Sequence, residues 1–220
     1  MTHSRSSSDR YAPGRVRLPS TLLLFFVFAS MSGCVGTTGR NSPAQITRSE
    51  NGFIIEETTR AGLGLRSEFD RANAALASGE WKAAVELLTK VTEEAPQFTA
   101  AQINLSIAHQ NLEDFESAEA ALQEALALNP KHPVALNELG IVQRRMGRFD
   151  DAKASFEKAL SHQPQYHYAR KNLGVLCDLF MNDASCALTH YRLYLELNPE
   201  DESAEIWIAD LENRFAAEAN

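Results

Sequence analysis

The stretch that decides the fold is PVALNELGIVQRRMGRFDDAKASFEKALSHQP, residues 133–164. Gly147 stands near its middle, where a glycine commonly takes the chain out of one helix and toward the next. Pro164 ends the stretch, and a proline stops the helix that precedes it. The stretch therefore predicts two antiparallel helices joined by a short turn.

The same pattern returns along the chain with a period of 34 residues. Four prolines mark it at spacings of 34, 34 and 35 residues: Pro96, Pro130, Pro164 and Pro199. Repeats then begin at residues 65, 99, 133 and 167. The eighth position is small in every repeat, as in Ala72, Ser106, Gly140 and Gly174. Large apolar residues recur at the 24th position, as Leu88, Leu122, Phe156 and, after one extra residue in repeat 4, Tyr191. A period of this length indicates a stacked array.

These positions resemble the tetratricopeptide repeat family over roughly residues 64–213. The resemblance implies an all-α fold, a right-handed solenoid of four helical hairpins at residues 65–98, 99–132, 133–166 and 167–200. Residues 201–217 are predicted to form a capping helix whose apolar stripe contains Ala204, Trp207, Ile208, Leu211 and Phe215. Tyr194 takes a place where the family has a small residue, so we expect it to contact this cap. Within repeat 3, we expect Gly140 and Ala152 to form the closest contact between the two helices.

The first 33 residues have the composition of an export signal. Four arginines precede a short apolar core, LLLFFVFA at residues 22–29, and small residues precede Cys34. This order resembles the signal peptide and lipobox of bacterial lipoproteins. The resemblance implies that Cys34 becomes the lipidated N-terminus, carrying palmitate, and that Val35 directs the protein to the outer membrane, facing the periplasm. An uncleaved transmembrane anchor or a plain cleaved signal is the alternative, although the apolar core is shorter than the ~20 residues of a span.

Residues 34–64 are predicted to be a lipidated cysteine followed by a flexible tether. The segment from Val35 to about Asn51 is rich in Gly, Ser and Thr and has no periodicity. Phe53-Ile54-Ile55 forms a small apolar island in the tether. This island either packs on the first helical hairpin or serves as a docking segment.

Charge and residue pattern exclude several function classes. The chain has a net charge of −8, and without the leader, which holds four Arg and one Asp, the balance is −11. A nucleic-acid binder would instead show a basic face. No catalytic constellation, phosphate-binding loop or metal-ligand set is present in the sequence, so we predict no enzyme activity, no cofactor and no metal. His109 is predicted to be a packed core residue.

Cys177 and Cys186 fall near the closed end of the fourth hairpin, one on each helix. A disulfide between them is geometrically plausible, and an exported protein meets an oxidising compartment. Two buried thiols at ordinary core positions are the alternative.

The resemblance also implies a peptide-binding groove on the concave face, which the first helix of each hairpin lines. Its predicted residues are Arg66, Phe69, Asn73, Asn104, Ile107, Asn137, Ile141, Arg144, Arg145, Tyr168, Lys171 and Asn172. Arginine holds carboxylates, and asparagine pairs with peptide backbone, so the groove is suited to an acidic or carboxylate-bearing segment. The alternative for Arg144 and Arg145 is that they are simply solvated.

The expected function is that of a membrane-anchored adaptor that binds a protein or peptide partner and assists assembly of a pilus, secretion or TonB-type complex. The architecture resembles type IV pilus pilotins and envelope adaptors of hydrolases and proteases. Residues 172–214 are also similar to repeat proteins associated with TonB–ExbB–ExbD systems. The alternatives are a non-catalytic subunit of an envelope enzyme complex, or a self-assembling structural lipoprotein whose groove holds Phe53-Ile54-Ile55 of another copy.

Overall fold

The computed structural model describes the backbone of residues 45–49, 52–56 and 63–218, and the side chains of residues 64–216. Two strands come first, β1 (Gln45–Ser49) and β2 (Gly52–Glu56). The helices that follow are α1 (Leu63–Ala77), α2 (Trp81–Glu94), α3 (Thr99–Asn111), α4 (Phe115–Leu128), α5 (Pro133–Arg145), α6 (Phe149–His162), α7 (His167–Leu179), α8 (Ala184–Leu197) and α9 (Glu202–Glu218). The predicted export signal, Cys34 and the tether up to residue 44 lie outside the described residues. Within the described part, no helix has the length and apolar character needed to cross a membrane.

Helices α1–α8 form four consecutive hairpins, and α9 follows as a ninth helix. Each hairpin pairs an odd-numbered helix with the even-numbered helix after it, and each also contacts the next hairpin. Helices α3, α5 and α7 begin at the repeat starts counted from the prolines, Thr99, Pro133 and His167. The predicted helical solenoid of four hairpins and a terminal helix is therefore confirmed.

Every turn inside a hairpin contains one residue in the left-handed backbone region. Two are glycines, Gly79 with φ of 73° and Gly147 with φ of 77°. The other two are Glu113 with φ of 61° and Asn182 with φ of 51°. Glycine adopts this conformation at little cost, whereas a side chain such as that of Glu113 is strained there. The first three turns share one backbone hydrogen-bond pattern, although that of repeat 2 lacks the glycine, whereas the fourth turn has one extra residue and a different pattern.

The core lies between the two helices of each hairpin and between neighbouring hairpins. Its most buried members include the 24th position of every repeat: Leu88, Leu122 and Phe156 are fully buried, and Tyr191 is 2% exposed. Burying a side chain of this size stabilises the folded state by about 1.5–3 kcal/mol. One apolar position per repeat thus secures each even-numbered helix against its partner.

In repeat 3, Gly140 lies against the ring of Phe156, one helical turn after Ala152. A Cβ atom built on Gly140 would lie 2.6 Å from the Cε1 atom of Phe156, and ring atoms of Phe156 are its nearest neighbours. Gly174 stands in the same relation to the ring of Tyr191, also at 2.6 Å. The expected close contact of Gly140 with Ala152 stays a prediction. The small eighth position makes room for the large residue at position 24, because the ring occupies the space that a side chain at residue 140 would need.

The terminal helix α9 covers the last hairpin with most of the predicted stripe. Ala204 and Leu211 are fully buried, and the ring of Trp207 lies 5.3 Å from that of Tyr191. Tyr194 is buried, and its hydroxyl donates to Asp201 Oδ2 at 2.6 Å, just before α9 begins. Phe215 departs from the expectation because it is 40% exposed. It lies beside the α7–α8 turn, and no described helix follows to cover its outer side.

A β-hairpin replaces part of the expected flexible tether. Strands β1 and β2 pair antiparallel, with Ile46 opposite Ile55 and Thr47 opposite Ile54. The composition of the segment favours strands, since Ile46, Thr47, Phe53, Ile54 and Ile55 are β-branched or aromatic. Strand β2 lies against α3 and α1. The prediction of a tether through residue 64 is therefore wrong for residues 45–56, because this segment has the composition and the packing partner that a strand needs.

Candidate functional site

The odd-numbered helices form the inner layer of the array. Contacts join α1 to α3, α3 to α5 and α5 to α7, whereas no comparable contact joins the even-numbered helices in the described part. An array that brings one row of helices together and spreads the other is curved, with the closer row on its concave side. The concave surface is therefore made by α1, α3, α5 and α7, the helices that carry the predicted groove residues.

The predicted groove asparagines pair with one another across neighbouring repeats. Asn104 Nδ2 donates to Asn73 Oδ1 at 2.9 Å, and Asn172 Nδ2 donates to Asn137 Oδ1 at the same distance. Asn104 and Asn172 occupy the sixth position of their repeats, so each donates to the repeat before it. Asn73, Asn104 and Asn137 are buried, and Asn172 is half-buried. These amides hold adjacent inner helices in register.

Glu138 is a buried carboxylate in the same inner layer, at the sixth position of repeat 3. It is 5% exposed and accepts hydrogen bonds from Gln110 Nε2 and Asn137 Nδ2, both at 3.1 Å. Burial raises the pKa of the Glu138 carboxyl, while the hydrogen bonds from Gln110 and Asn137 oppose that rise. A polar chain thus runs from Gln110 through Glu138 and Asn137 to Asn172, linking three repeats.

Two adjacent arginines end α5 and line a surface pocket of about 180 Å³. The lining residues come from the ends of α3 and α5 and the start of α4: Gln110, Asn111, Phe115, Ile141, Arg144 and Arg145. The guanidinium carbon of Arg145 lies 5.0 Å from the ring centre of Phe115, and that of Arg144 lies 5.3 Å from the ring centre of Phe180. Stacking on these rings orients both cations. We call these six lining residues the arginine pocket.

The two arginines differ in how far their charge is neutralised. Arg145 is half-exposed and reaches Glu113 Oε1 at 3.4 Å, a distance and exposure at which the pair is screened. Arg144 makes no ion pair within the described residues, and its Nε has no hydrogen-bond partner there. Burial, and then the charge of Arg145, lower the pKa of the Arg144 guanidinium, which stays protonated at neutral pH. Arg144 therefore brings to the pocket a positive charge that no described carboxylate neutralises.

Lys171 lies apart from the two arginines, near the start of α7. Its Nζ atom lies 3.5 Å from Asp201 Oδ2, and it sits 4.8 Å from the ring centre of Trp207 and 5.4 Å from that of Tyr194. The same carboxylate accepts the Tyr194 hydroxyl, and its hydrogen bonds hold the pKa of Asp201 below the usual value. Lys171 does not line the arginine pocket. Lys171 ties α7 to the cap, because Asp201 and two rings surround it.

The remaining predicted groove residues are distributed between core and surface. Phe69 is buried, with its ring 4.4 Å from that of Phe98, and Ile107 is 7% exposed. Tyr168 is half-buried, and its ring lies 3.9 Å from that of His167. Arg66 is exposed near the start of α1, and Ile141 belongs to the arginine pocket. Of the predicted set, Ile141, Arg144 and Arg145 meet in the arginine pocket.

No group of three or more His, Cys, Asp and Glu side chains able to hold a metal ion lies among the described residues. His109 is half-buried, and its Nδ1 atom lies 3.1 Å from Asp114 Oδ2. Asp114 also caps α4 by accepting from the Ser117 amide at 3.1 Å. That hydrogen bond, with a smaller contribution from His109, lowers the pKa of Asp114. The contact between His109 and Asp114 therefore joins the end of α3 to the start of α4.

Cys177 and Cys186 are joined by a disulfide, with their Cα atoms 5.8 Å apart. Cys177 is fully buried on α7, and Cys186 is half-buried in the first turn of α8. Asp183 caps α8 by accepting from the Cys186 amide at 3.0 Å. The bond therefore closes the fourth hairpin at its turn, next to Phe180 and the stacked guanidinium of Arg144.

A family model described as tetratricopeptide repeat matches residues 75–139 and 112–173. The overlapping matches fall on the helical hairpins just described. The array belongs to the tetratricopeptide repeat family. No curated protein matches the chain at a significant level.

Solved tetratricopeptide repeat structures have the same arrangement of helices. The Thermus thermophilus protein TTC0263 is 24% identical, with 67% of this chain and 80% of that one covered and a TM-score of 0.61. Pseudomonas aeruginosa PilF is 22% identical, with 70% and 69% covered and a TM-score of 0.64. The first repeat domain of Spaghetti (RPAP3), solved with the HSP90 peptide SRMEEVD, is 22% identical, with 52% and 90% covered and a TM-score of 0.50. At these identities the likeness is one of fold.

Sequence reasoning missed two parts of this tetratricopeptide site. Glu138 was overlooked because a Glu within a helical pattern is ordinarily solvated, although its sixth position in the repeat is the one that carries Asn104 and Asn172. Phe115 was also absent from the predicted groove. It lies at the start of α4, 30 residues before Arg145 in α5, and no local pattern links the two.

Proposed function

We propose that this chain is a lipid-anchored adaptor of the bacterial envelope, attached at Cys34 to the outer membrane and facing the periplasm. Its tetratricopeptide array would bind a protein partner and assist the assembly of an envelope complex. Support for the anchor comes from the sequence alone: a basic start, a short apolar core and small residues before Cys34. Support for partner binding comes from the fold, which in RPAP3 is seen with a bound peptide.

The observation that carries the binding proposal is the arginine pocket. The chain has a net charge of −8, yet two adjacent arginines stack on aromatic rings at the edge of the concave surface. Arg144 has no acidic partner among the described residues. Guanidinium groups bind carboxylates through paired hydrogen bonds, and Gln110 and Asn111 add amide donors and acceptors. The chemistry favours a partner segment that carries acidic side chains or a free C-terminal carboxylate. The peptide in the RPAP3 complex, SRMEEVD, is of this acidic kind.

The partner can be captured at the pocket and then used to test it. A photo-crosslinking amino acid at Asn111, which is exposed, would identify the protein that contacts the pocket in intact cells. Replacing both Arg144 and Arg145 by Glu should then weaken binding of that partner by about tenfold or more, because repulsion replaces close charge pairing. The measurement is a titration at low and high salt, and the salt dependence should also fall.

The matched control is the double change of Lys90 and Lys158 to Glu. Both lysines are exposed, on α2 and α6 of the outer layer, and the control alters the net charge by the same amount. Its affinity should stay near that of the wild type. Equal weakening by the two double variants would show that net charge, and not the pocket, governs binding.

The anchor has a separate test in metabolic labelling with palmitate. The wild-type chain should incorporate label, and Cys34→Ser should incorporate none, because the modified sulfur is absent. Cys186→Ser provides the control for general effects of cysteine replacement. Equal labelling of wild type and Cys34→Ser would rule out Cys34 as the lipidated residue.

A further inference from the structure

The concave surface has two halves of different chemistry. On α3 the positions that face the concave side are apolar, with Ala100 and Ile103 fully buried and Ile107 7% exposed. The matching positions of α7, Tyr168, Lys171 and Val175, are half-buried. Burial on α3 extends without a break from Thr99 to Ala108. A helix with neighbours on its outer and lateral sides alone would keep one side open, so something also covers its concave side.

The chain's own β-hairpin is placed to provide that cover. Strand β2 lies against α3 and also against α1, and these two helices make up the first half of the concave layer. An isolated two-stranded hairpin is marginally stable in water and needs packing against other structure. The described contacts of β2 with α1 and α3 supply such packing. Helices α5 and α7, the first of which supplies both arginines of the pocket, make no comparable contact with either strand in the described part.

We propose that the hairpin of residues 45–56 is a built-in ligand of the tetratricopeptide groove, which closes its α1–α3 half until an extended apolar segment of a partner displaces it. The two strands contain Ile46, Thr47, Phe53, Ile54 and Ile55, and an extended segment of similar β-branched and aromatic composition is the competitor that we expect. The inference goes beyond the adaptor role and does not rest on it, because it concerns the surface of α1 and α3 against which β2 lies and not the arginines of α5.

Intramolecular binding makes this closure effective. Six residues, 57–62, separate β2 from α1, and a ligand on so short a connection has an effective concentration on the order of millimolar. A partner segment must therefore displace the hairpin. Its apparent affinity is the intrinsic affinity multiplied by the fraction of molecules whose groove is open. A groove that is closed in this way discriminates against weak apolar segments.

Hydrogen exchange of the amides of residues 52–56 tests the closure in the full chain, held in detergent micelles. Ala100→Lys would place a charge on the covered surface of α3, whereas Gln123→Lys adds the same charge at an exposed site on α4. Exchange in β2 should be slow in the wild type and in Gln123→Lys, and about tenfold or more faster in Ala100→Lys. Equal exchange in all three proteins would overturn the proposal, as would fast exchange in the wild type. Helical circular dichroism confirms that each variant is folded.

A labelled peptide with the sequence of residues 45–56 tests the displacement. Ile54→Pro removes a backbone donor from β2 and should release the hairpin. The peptide should then bind Ile54→Pro about tenfold or more tightly than the wild type, whose groove is filled. Adding Arg144→Glu and Arg145→Glu to Ile54→Pro should leave peptide binding unchanged, which separates this result from that of the arginine pocket. Equal binding to wild type and Ile54→Pro, or no binding to either, would show that the hairpin is not a displaceable ligand.

Discussion

Reduction of the Cys177–Cys186 disulfide is expected to destabilise the C-terminal end of the array by about 2–3 kcal/mol. The two cysteines are nine residues apart, and closing a loop of this size in the unfolded chain accounts for a stabilisation of about that magnitude. In a repeat array each unit contacts its neighbours alone, so the effect should stay local. Amides of α7 and α8 should exchange about 30–100 times faster after reduction, and those of α3 and α4 should change little.

The double variant Cys177→Ala/Cys186→Ala separates the covalent bond from packing. Cys177 is fully buried, so its replacement also removes an apolar sulfur from the core. Reduced wild type retains both sulfur atoms and loses the bond alone. A reductant should lower the melting temperature of the wild type by about 5–10 °C and leave that of the double variant unchanged. An unchanged wild-type melting temperature would show that the bond contributes nothing to stability.

Replacing Gly140 by Leu is expected to cost about 1–3 kcal/mol of unfolding free energy. The first atom of any side chain at residue 140 would lie 2.6 Å from the ring of Phe156, which is fully buried and cannot move to solvent. Gly140→Ala should also destabilise, although alanine is the better helix former by about 1 kcal/mol. Urea unfolding followed by circular dichroism gives both values.

Gly64 supplies the matched control, because it is also a helical glycine but has no atom within 4 Å of an added Cβ. Gly64→Ala should stabilise by about 0.5–1 kcal/mol, the ordinary gain from replacing a helical glycine. Combining Gly140→Ala with Phe156→Leu should recover part of the loss, since the smaller side chain relieves the contact. If Gly140→Ala and Gly64→Ala stabilise equally, the ring of Phe156 does not limit residue 140.

The repeat register could be derived from the sequence because the residues that define it lie within each repeat and recur in all four repeats. The prolines, the small eighth position and the large 24th position each recur at one spacing, and the helices begin where that spacing places them. Even the turn geometry of repeat 2 follows from the period, since Glu113 adopts the left-handed conformation of Gly147 without being a glycine. The capping helix could also be predicted, because apolar residues recur along α9 with the 3.6-residue period of a helix.

The candidate site depended on contacts between repeats, which the period does not specify. Asn104 and Asn172 look like groove residues in sequence, but each pairs with an amide more than 30 residues earlier. Lys171 likewise contacts Asp201 and Trp207, which lie after repeat 4, so the repeat pattern does not reveal these partners. Such pairings follow from how side chains meet once the helices are stacked.

What the sequence by itself determined is therefore the array: its helices, its core positions and the layer in which each helix lies. What only the tertiary structure decided is which inner-layer groups remain accessible for binding. Arg144 is oriented by Phe180 and carries a charge that no described carboxylate neutralises, while the apolar surface of α3 is covered by a hairpin from outside the repeats. Local periodicity encodes backbone and burial, whereas accessibility depends on atoms that are distant in sequence.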